Sequence, residues 1–343
     1  MKPQISRKKF IGDTLFASAG MLLLPAFGAK EKDIVMTVSG PVDAQKTGFT
    51  LTHEHVMVDF IGAGKISKSR YNADEVVEVA LPFMKAAKVK GVDTFIDCTP
   101  AYLGRDVIVL RRLAEATGIN ILTNTGYYGA ANEKFVPAFA YNESAQQLAN
   151  RWIDEWNNGI EGSQIKPGFI KTSTDKGPLT PMQRKLIQAA GITHLSTGLT
   201  VAVHSGDGNA AFEQLDILKE QGVSPAARIW VHAQNETNKE MHIKAGKLGT
   251  WVSFDGVNPD TLQTHLDYLQ NMKKNQLLEH VLVSHDSGWY NVGDPKGGIF
   301  KPYTCISTQF IPMLQQNGFS NGEIDLIFRK NPAKALTIKV RKV

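Results

Sequence analysis

Two histidines, His53 and His55, stand one residue apart at the end of the apolar, threonine-rich stretch of residues 48–55. This stretch predicts a β-strand, in which residues two apart project to the same side. Two imidazoles on one side of a strand, with Glu54 facing away, form the start of a metal site. The alternative is a histidine pair in the core or on the surface that binds no ion. Further candidate ligands at the ends of later strands would favour the metal site.

Further candidate ligands stand at the ends of later predicted strands: Lys171, His204, His232 and Asp286. In a barrel of parallel strands the carboxyl ends meet at one rim, where the chemistry of such folds takes place. Two imidazoles and a carboxylate can bind one divalent ion, and this set is large enough for two. The sequence therefore predicts a site for two divalent metal ions.

Lys171 is an unexpected member of such a set, because a buried ammonium group beside two divalent ions would be repelled. A neutral amine can instead add carbon dioxide and become a carbamate. The two oxygens of a carbamate can bridge two ions. The alternative is a lysine that reaches out to a surface carboxylate.

The elements that must position these residues alternate along the chain. Eight predicted strands, each followed by a predicted helix, lie near residues 50, 95, 121, 168, 202, 230, 252 and 283. Eight βα units over this length predict an α/β fold, a single (β/α)8 TIM barrel over residues 29–343 with a short N-terminal β segment. A doubly wound open sheet is the second choice, but the glycine-rich phosphate loop expected after its first strand is missing.

Residues 1–28 have the pattern of a signal peptide: a basic start, an apolar run, and the small residues Ala26 and Gly28 before the expected cleavage point. We therefore expect export to the periplasm or the medium, by a Sec or a twin-arginine-like route. The apolar run is too short to remain as a membrane anchor. Much of the formal charge of +5 lies in this leader, so the rest of the chain is nearly balanced and gives no reason to expect a nucleic-acid partner.

Several motifs resemble those of the phosphotriesterase family of the amidohydrolase superfamily, which includes lactonases and esterases. The motifs are Gly-Phe-Thr-Leu-Thr-His-Glu-His at 48–55, Gly-Phe-Ile-Lys at 168–171, Val-His-Ser-Gly at 203–206, Ser-His-Asp at 284–286 and Asn-Pro-Ala-Lys at 331–334. The resemblance covers about residues 35–337.

The resemblance implies a binuclear centre, usually of zinc. It assigns His53, His55 and Asp286 to the more buried ion, and His204 and His232 to the outer ion. A carboxylated Lys171 and a hydroxide would bridge the two ions.

Substrate residues are less determined by the sequence. Tyr128 resembles a tyrosine that phosphotriesterase-like lactonases carry at the end of strand three, and the alternative is that it forms part of an aromatic wall with Tyr127. Asn235 and Gly256 depart from the residues that phosphotriesterases and lactonases have there. The aromatic residues of the stretch 287–302 predict a loop that covers the pocket from strand eight.

The leading hypothesis is an exported binuclear-metal hydrolase that cleaves an ester or lactone by attack of the bridging hydroxide, with Asp286 taking the proton and with Lys171 and Tyr128 as further catalytic residues. A phosphotriesterase or other phosphoesterase is the first alternative. A non-catalytic, metal-stabilised barrel that binds a small ligand is the second. The resemblance also suggests a homodimer.

Overall fold

The computed structural model describes residues 33–343. The predicted signal peptide lies outside the described residues. The chain opens with an antiparallel hairpin of β1 (Ile34–Thr37) and β2 (Gly40–Asp43), which confirms the predicted β segment. Gly40 follows the turn between the two strands and has a φ of 112°, a backbone conformation that glycine adopts without strain.

Eight parallel strand positions follow, at the places that the sequence predicts. They are β3 (Thr50–Val58), β4 (Thr94–Asp97), β5 (Asn120–Leu122) continued by β6 (Asn124–Thr125), β7 (Phe169–Thr174), β8 (Val201–Ser205), β9 (Arg228–Val231), β10 (Trp251–Phe254) and β11 (Val281–Val283). One parallel ladder joins β3 to β5 and another joins β6 to β11. Between β11 and β3, the amide of Asp286 donates to the carbonyl of His53 over 3.0 Å. These elements form the predicted (β/α)8 fold.

The helices alternate with the strands. They are α1 (Ala73–Val89), α2 (Val107–Thr117), α3 (Phe139–Asn142), α4 (Ala145–Asn158), α5 (Pro181–Thr197), α6 (Gly208–Glu220), α7 (Lys239–Lys247), α8 (Leu262–Lys274), α9 (Ile311–Gln316), α10 (Asn321–Asp325) and α11 (Asn331–Leu336). Capping boxes at Ser144, Thr180 and Ser320 begin α4, α5 and α10. Short π-helical turns, Ile306–Phe310 and Leu326–Lys330, precede α9 and α11.

The two faces of the strands pack into different parts of the core. Ile96, Ala202 and Leu282 belong to one cluster, which also contains residues of the entry hairpin and of α11. Phe95 and Trp230 belong to another cluster, which contains residues of α1, α2 and α8. Because successive strand residues point to opposite sides, both faces of these strands are apolar, and the strands hold the residues at their carboxyl ends on a rigid support.

The stretch after β11 differs from the prediction. The sequence predicts a covering loop over residues 287–302, but Gly288–Asn291 form a further strand, β12, parallel to β3 with Gly288 opposite His55. Within the described residues, no helix is both long enough and apolar enough to cross a bilayer.

Candidate metal centre

A cavity of about 330 Å³ opens at the carboxyl ends of the strands. Its lining includes all six candidate metal residues and the candidate substrate residue: His53, His55, Lys171, His204, His232, Asp286 and Tyr128. The structure therefore brings together every site residue that the sequence predicts, although more than 200 positions separate the first from the last.

The carboxylate of Asp286 faces three imidazole nitrogens. Its Oδ1 lies 3.2 Å from Nε2 of His55 and 3.7 Å from Nε2 of His53, and its Oδ2 lies 4.0 Å from Nε2 of His232. The two Nε2 atoms of His53 and His55 are themselves 3.3 Å apart. Nitrogen and carboxylate oxygen atoms at these separations surround a space that a divalent ion can occupy.

A second carboxylate, Asp255 at the end of β10, lies behind two of the rings. Its Oδ2 is 3.2 Å from Nδ1 of His53 and 3.6 Å from Nδ1 of His232, and it accepts the backbone N–H of His232 over 3.0 Å. Burial alone would raise the pKa of Asp255, but the neighbouring His53 and His232 hold it below its ordinary value. An ionised Asp255 favours a proton on each Nδ1, which leaves each Nε2 as a ligand atom toward Asp286.

Thr99 favours the same tautomer of His55, with the proton on Nδ1. The Thr99 hydroxyl lies 2.7 Å from Nδ1 of His55 and donates to the carbonyl of Met57 over 3.1 Å. Because a hydroxyl has a single proton, it can complete both bonds only by accepting from a protonated Nδ1. The unprotonated Nε2 of His55 then faces the cavity.

Two imidazoles of the cavity, those of His204 and His232, are kept neutral by their surroundings. Burial holds the pKa of His204 well below its ordinary value, and the neighbouring His232 and Lys171 lower it further. Burial, helped by His53, lowers the pKa of His232 to about 4. Neutral imidazole is the form that binds metal ions, so both rings are in the ligating form at neutral pH.

The backbone at two of these residues is in the left-handed region, with φ of 61° at His232 and 55° at Asp286. Such conformations are uncommon outside glycine and persist where the surroundings impose them. For Asp286 the surroundings are clear. Glu54, which faces away from the cavity as predicted, accepts hydrogen bonds from groups on both sides of Asp286, namely Ser284, His285 and Ser287.

The surroundings of two buried atoms in the cavity bear on whether the site can hold metal ions. Within the described residues, neither Lys171 Nζ nor Asp286 Oδ1 has a hydrogen-bond partner. Buried polar atoms normally have a hydrogen-bond or metal partner, so we tested whether a metal ion could be that partner for each atom. For Asp286 a divalent ion fits. For Lys171 an ion fits only if the amine carries a carbamate, because an ammonium group would repel it.

Tyr128 reaches the cluster from the end of β6, and its hydroxyl lies 3.2 Å from Nδ1 of His204. Burial raises its pKa, so the phenol is protonated at neutral pH and can donate a hydrogen bond. Gly126, with a φ of 119°, allows the approach, because a Cβ there would collide with the carbonyl of Lys171. Tyr127 points elsewhere, into a cluster with Trp152.

The rest of the cavity wall is mostly apolar: Val58, Phe60, Leu103, Ala131, Phe135 and Trp289. Of the aromatics predicted to cover the pocket, only Trp289 does so. Tyr290 and Phe300 are buried elsewhere, where Phe300 packs on Phe83. Asn235 and Gly256 are not part of the lining.

Sequence reasoning left Thr99 without a role and did not include Asp255 among the site residues. Asp255 follows β10 at the rim and could have been found by the strand-end rule that found the others. Thr99 follows β4 at the same rim, but its role depends on a contact with His55 that no spacing reveals. His194, His242, His265 and His280 lie outside the cavity lining.

Comparison with known proteins identifies a family and several relatives that this chain resembles. The family model described as the phosphotriesterase family matches residues 33–336. A phosphotriesterase homology protein of Escherichia coli is 30% identical over 84% of this chain and 97% of its own length. An aryldialkylphosphatase of Saccharolobus solfataricus is 29% identical over 85% and 96%, respectively. An N-acetyltaurine hydrolase of Rattus norvegicus is 27% identical over 89% and 98%.

Proposed function

Since this chain belongs to the phosphotriesterase family of metal-dependent hydrolases, we propose that it is an exported binuclear hydrolase that cleaves a small ester or lactone. The observation that carries the proposal is the convergence of His53, His55, Lys171, His204, His232 and Asp286 on one cavity at the barrel rim. Export would follow from the predicted leader at residues 1–28.

Each side chain of the cluster has a role in the proposal. His53, His55 and Asp286 would hold one ion and His204 and His232 the other, with Lys171, carboxylated on Nζ, between them. Zinc suits this set of imidazole and carboxylate donors. When bound, two such ions lower the pKa of a water molecule and polarise the bond under attack.

Two protein groups would then act on the substrate. Asp286 would accept a proton from the attacking water, because its carboxylate lies among the imidazoles of the cavity. Burial alone would raise the pKa of this carboxyl group, but His53 and His55 hold it well below the ordinary value. The group is therefore ionised and able to take up a proton. The protonated hydroxyl of Tyr128 would donate to the oxygen of the ester or lactone ring. Phe60, Phe135 and Trp289 would shield the reaction from bulk water.

Two other reactions of the same centre have support of their own. The aryldialkylphosphatase relative favours a phosphoester, and the N-acetyltaurine hydrolase relatives favour an amide. Against a phosphotriesterase, the protein has Asn235 and Gly256 at two positions where the sequence resemblance leads us to expect other residues. An ester or lactone substrate agrees better with Tyr128 beside His204.

The test is metal content together with turnover. The purified protein, loaded with zinc or cobalt, should hold two ions per chain and hydrolyse members of a panel of lactones, aryl esters, phosphotriesters and N-acyl amino acids. Turnover of phosphotriesters or amides alone would replace the ester and lactone assignment. Two ions without any turnover would support the non-catalytic binding barrel. N-terminal sequencing of exported protein tests the leader, and light scattering tests the homodimer.

A further inference from the structure

One charged side chain of the cavity has no part in the metal cluster. Apart from the six candidate metal residues, Lys134 is the only formally charged residue in the cavity lining that the described residues provide. It lies on the loop between β6 and α3, and it is exposed at the cavity mouth. The remaining wall is apolar apart from Tyr128, so Lys134 is the cation available to a substrate away from the reacting bond.

The loop presents Lys134 in a defined position. Three successive residues before it, 131–133, have positive φ values of 53–62°, and the carboxylate of Asp175 accepts the backbone N–H groups of Ala131 and Asn132. The carbonyl of Lys134 accepts the N–H of Ala63 over 3.1 Å. The backbone of Lys134 is therefore held from both sides.

The lysine side chain is also supported along its length. A Cβ on Gly62, which has a φ of 104°, would come within 3.3 Å of Cγ and 3.5 Å of Cε of Lys134, so the stem lies flat on the glycine. Its Nζ is 5.6 Å from the centre of the Phe135 ring. Phe135 itself lines the cavity, and the ammonium group is therefore placed at the edge of an apolar wall.

The neighbouring acids are engaged elsewhere. Glu133 accepts hydrogen bonds from Thr180 and from Tyr141, and Asp175 accepts one from Gln183 over 2.9 Å. Lys134 takes part in none of the ion pairs formed by the residues that the structure describes. The ammonium group is thus available to an anion from solution.

We propose that Lys134 selects substrates that carry an anionic group, a carboxylate or a sulfonate, at the end opposite the bond to be cleaved. This inference rests on the proposed function and names its substrate class. A cavity of about 330 Å³ is at the small end of ligand sites, so the substrate would be a short molecule: a scissile ester over the metal cluster, an apolar middle against Phe135, and the anion at the mouth.

The test compares two esters that differ only at the remote end. They are 4-nitrophenyl pentanoate and the 4-nitrophenyl monoester of glutarate, in which a carboxylate replaces the terminal methyl group. The ratio of kcat/KM for the glutarate over the pentanoate ester is measured for the wild type, Lys134→Met and Lys134→Arg. A matching sulfonate-ended ester shows which anion is preferred. Lys65→Met, which removes an exposed lysine outside the cavity lining, is the control.

We expect Lys134→Met to lower that ratio by about tenfold, mainly through KM, because a charge-assisted hydrogen bond is lost. Lys134→Arg should keep most of it, and Lys65→Met should not change it. An unchanged ratio in Lys134→Met, or an equal fall in Lys65→Met, would overturn the inference.

A binding experiment separates this inference from the proposed function. Glutaramate and pentanamide, the corresponding amides with and without the carboxylate, are titrated calorimetrically into the metal-loaded protein. The wild type should bind glutaramate about tenfold more tightly than pentanamide, and Lys134→Met should lose that preference. Failure of the wild type to hydrolyse any ester would contradict the proposed function alone. Equal affinity for the two amides would contradict the selection by Lys134 alone.

Discussion

Replacement of Glu54 by glutamine is expected to loosen the loop that carries Asp286. The Glu54 side chain is fully buried. Its Oε1 accepts from the Ser284 hydroxyl over 2.8 Å and from the backbone N–H and Nδ1 of His285 over 3.1 and 2.7 Å, and its Oε2 accepts the N–H of Ser287 over 2.9 Å. The other ring nitrogen of His285, Nε2, accepts the N–H of Ile306 over 2.9 Å, so the ring is held at both nitrogens.

The size of the effect follows from the number of acceptors that remain. Glutamine keeps one oxygen, which can retain the bonds to Ser284 and His285, but its amide group then opposes the N–H of Ser287. One hydrogen bond is lost and a buried donor is left unsatisfied, which costs about 2–3 kcal/mol. With an m-value of about 3 kcal/mol/M, the midpoint of urea unfolding should fall by about 1 M.

The assay is urea unfolding of metal-free protein, followed by competition of the metal-loaded protein with a chelator. We also expect about tenfold weaker metal binding, because the carboxylate of Asp286 is less well positioned. Glu78→Gln, on the exposed face of α1, is the matched control and should shift the midpoint by less than about 0.2 M. If Glu54→Gln behaved like Glu78→Gln in both assays, the reasoning would be refuted.

Three further predictions concern separate parts of the molecule. Lys171→Ala should lose bound metal and activity together, with partial rescue by a short carboxylic acid, as measured by elemental analysis and ester turnover. Tyr128→Phe should keep its metal but lower kcat for esters by about tenfold, because a hydroxyl donor is lost. His194→Gln should flatten the pH dependence of stability. Burial lowers the pKa of His194, so the unfolded state takes up the proton at a higher pH than the folded state. As the pH decreases below about 6.5, the free energy of unfolding of the wild type should therefore decrease by up to about 1.4 kcal/mol per pH unit.

Each of these variants has a control or a contrary outcome. Lys176→Ala removes an exposed lysine near the end of the same strand and should leave metal content unchanged. Tyr127→Phe, outside the cavity, should not alter kcat as Tyr128→Phe does. A slope in His194→Gln equal to that of the wild type, in urea unfolding at pH 7.5 and 5.5, would assign the acid sensitivity to other groups.

The sequence predicts most of the fold and the candidate metal residues because both depend on local periodicity. Apolar strands alternate with amphipathic helices, and parallel strands in a barrel bring their carboxyl ends to one rim. His53, Lys171 and Asp286 could therefore be assigned to one site without any knowledge of distances. The alternation of β3 also predicted correctly that Glu54 faces away.

Other features depend on contacts that no local pattern encodes. β12 contains Gly288 and follows a stretch with turn residues, and it forms because its backbone meets that of His55 in β3. The role of Thr99 requires knowledge that its hydroxyl already donates to Met57. The position of Lys134 depends on three left-handed residues in a row, none of which is glycine.

The side chains on both faces of β3 contribute to the geometry of the candidate metal centre, so His53, Glu54 and His55 depend on one another. His53 and His55 project into the cavity, while Glu54 projects to the other side and binds the segment on which Asp286 stands. A shift of β3 by one residue would exchange the faces, so that a carboxylate would enter the cavity and both imidazoles would leave it. The hydrogen bond from His53 N–H to the Ser284 hydroxyl, which itself donates to Glu54, opposes such a shift. The same bonds that fix the register of β3 therefore also set the distance between the Asp286 carboxylate and the imidazoles.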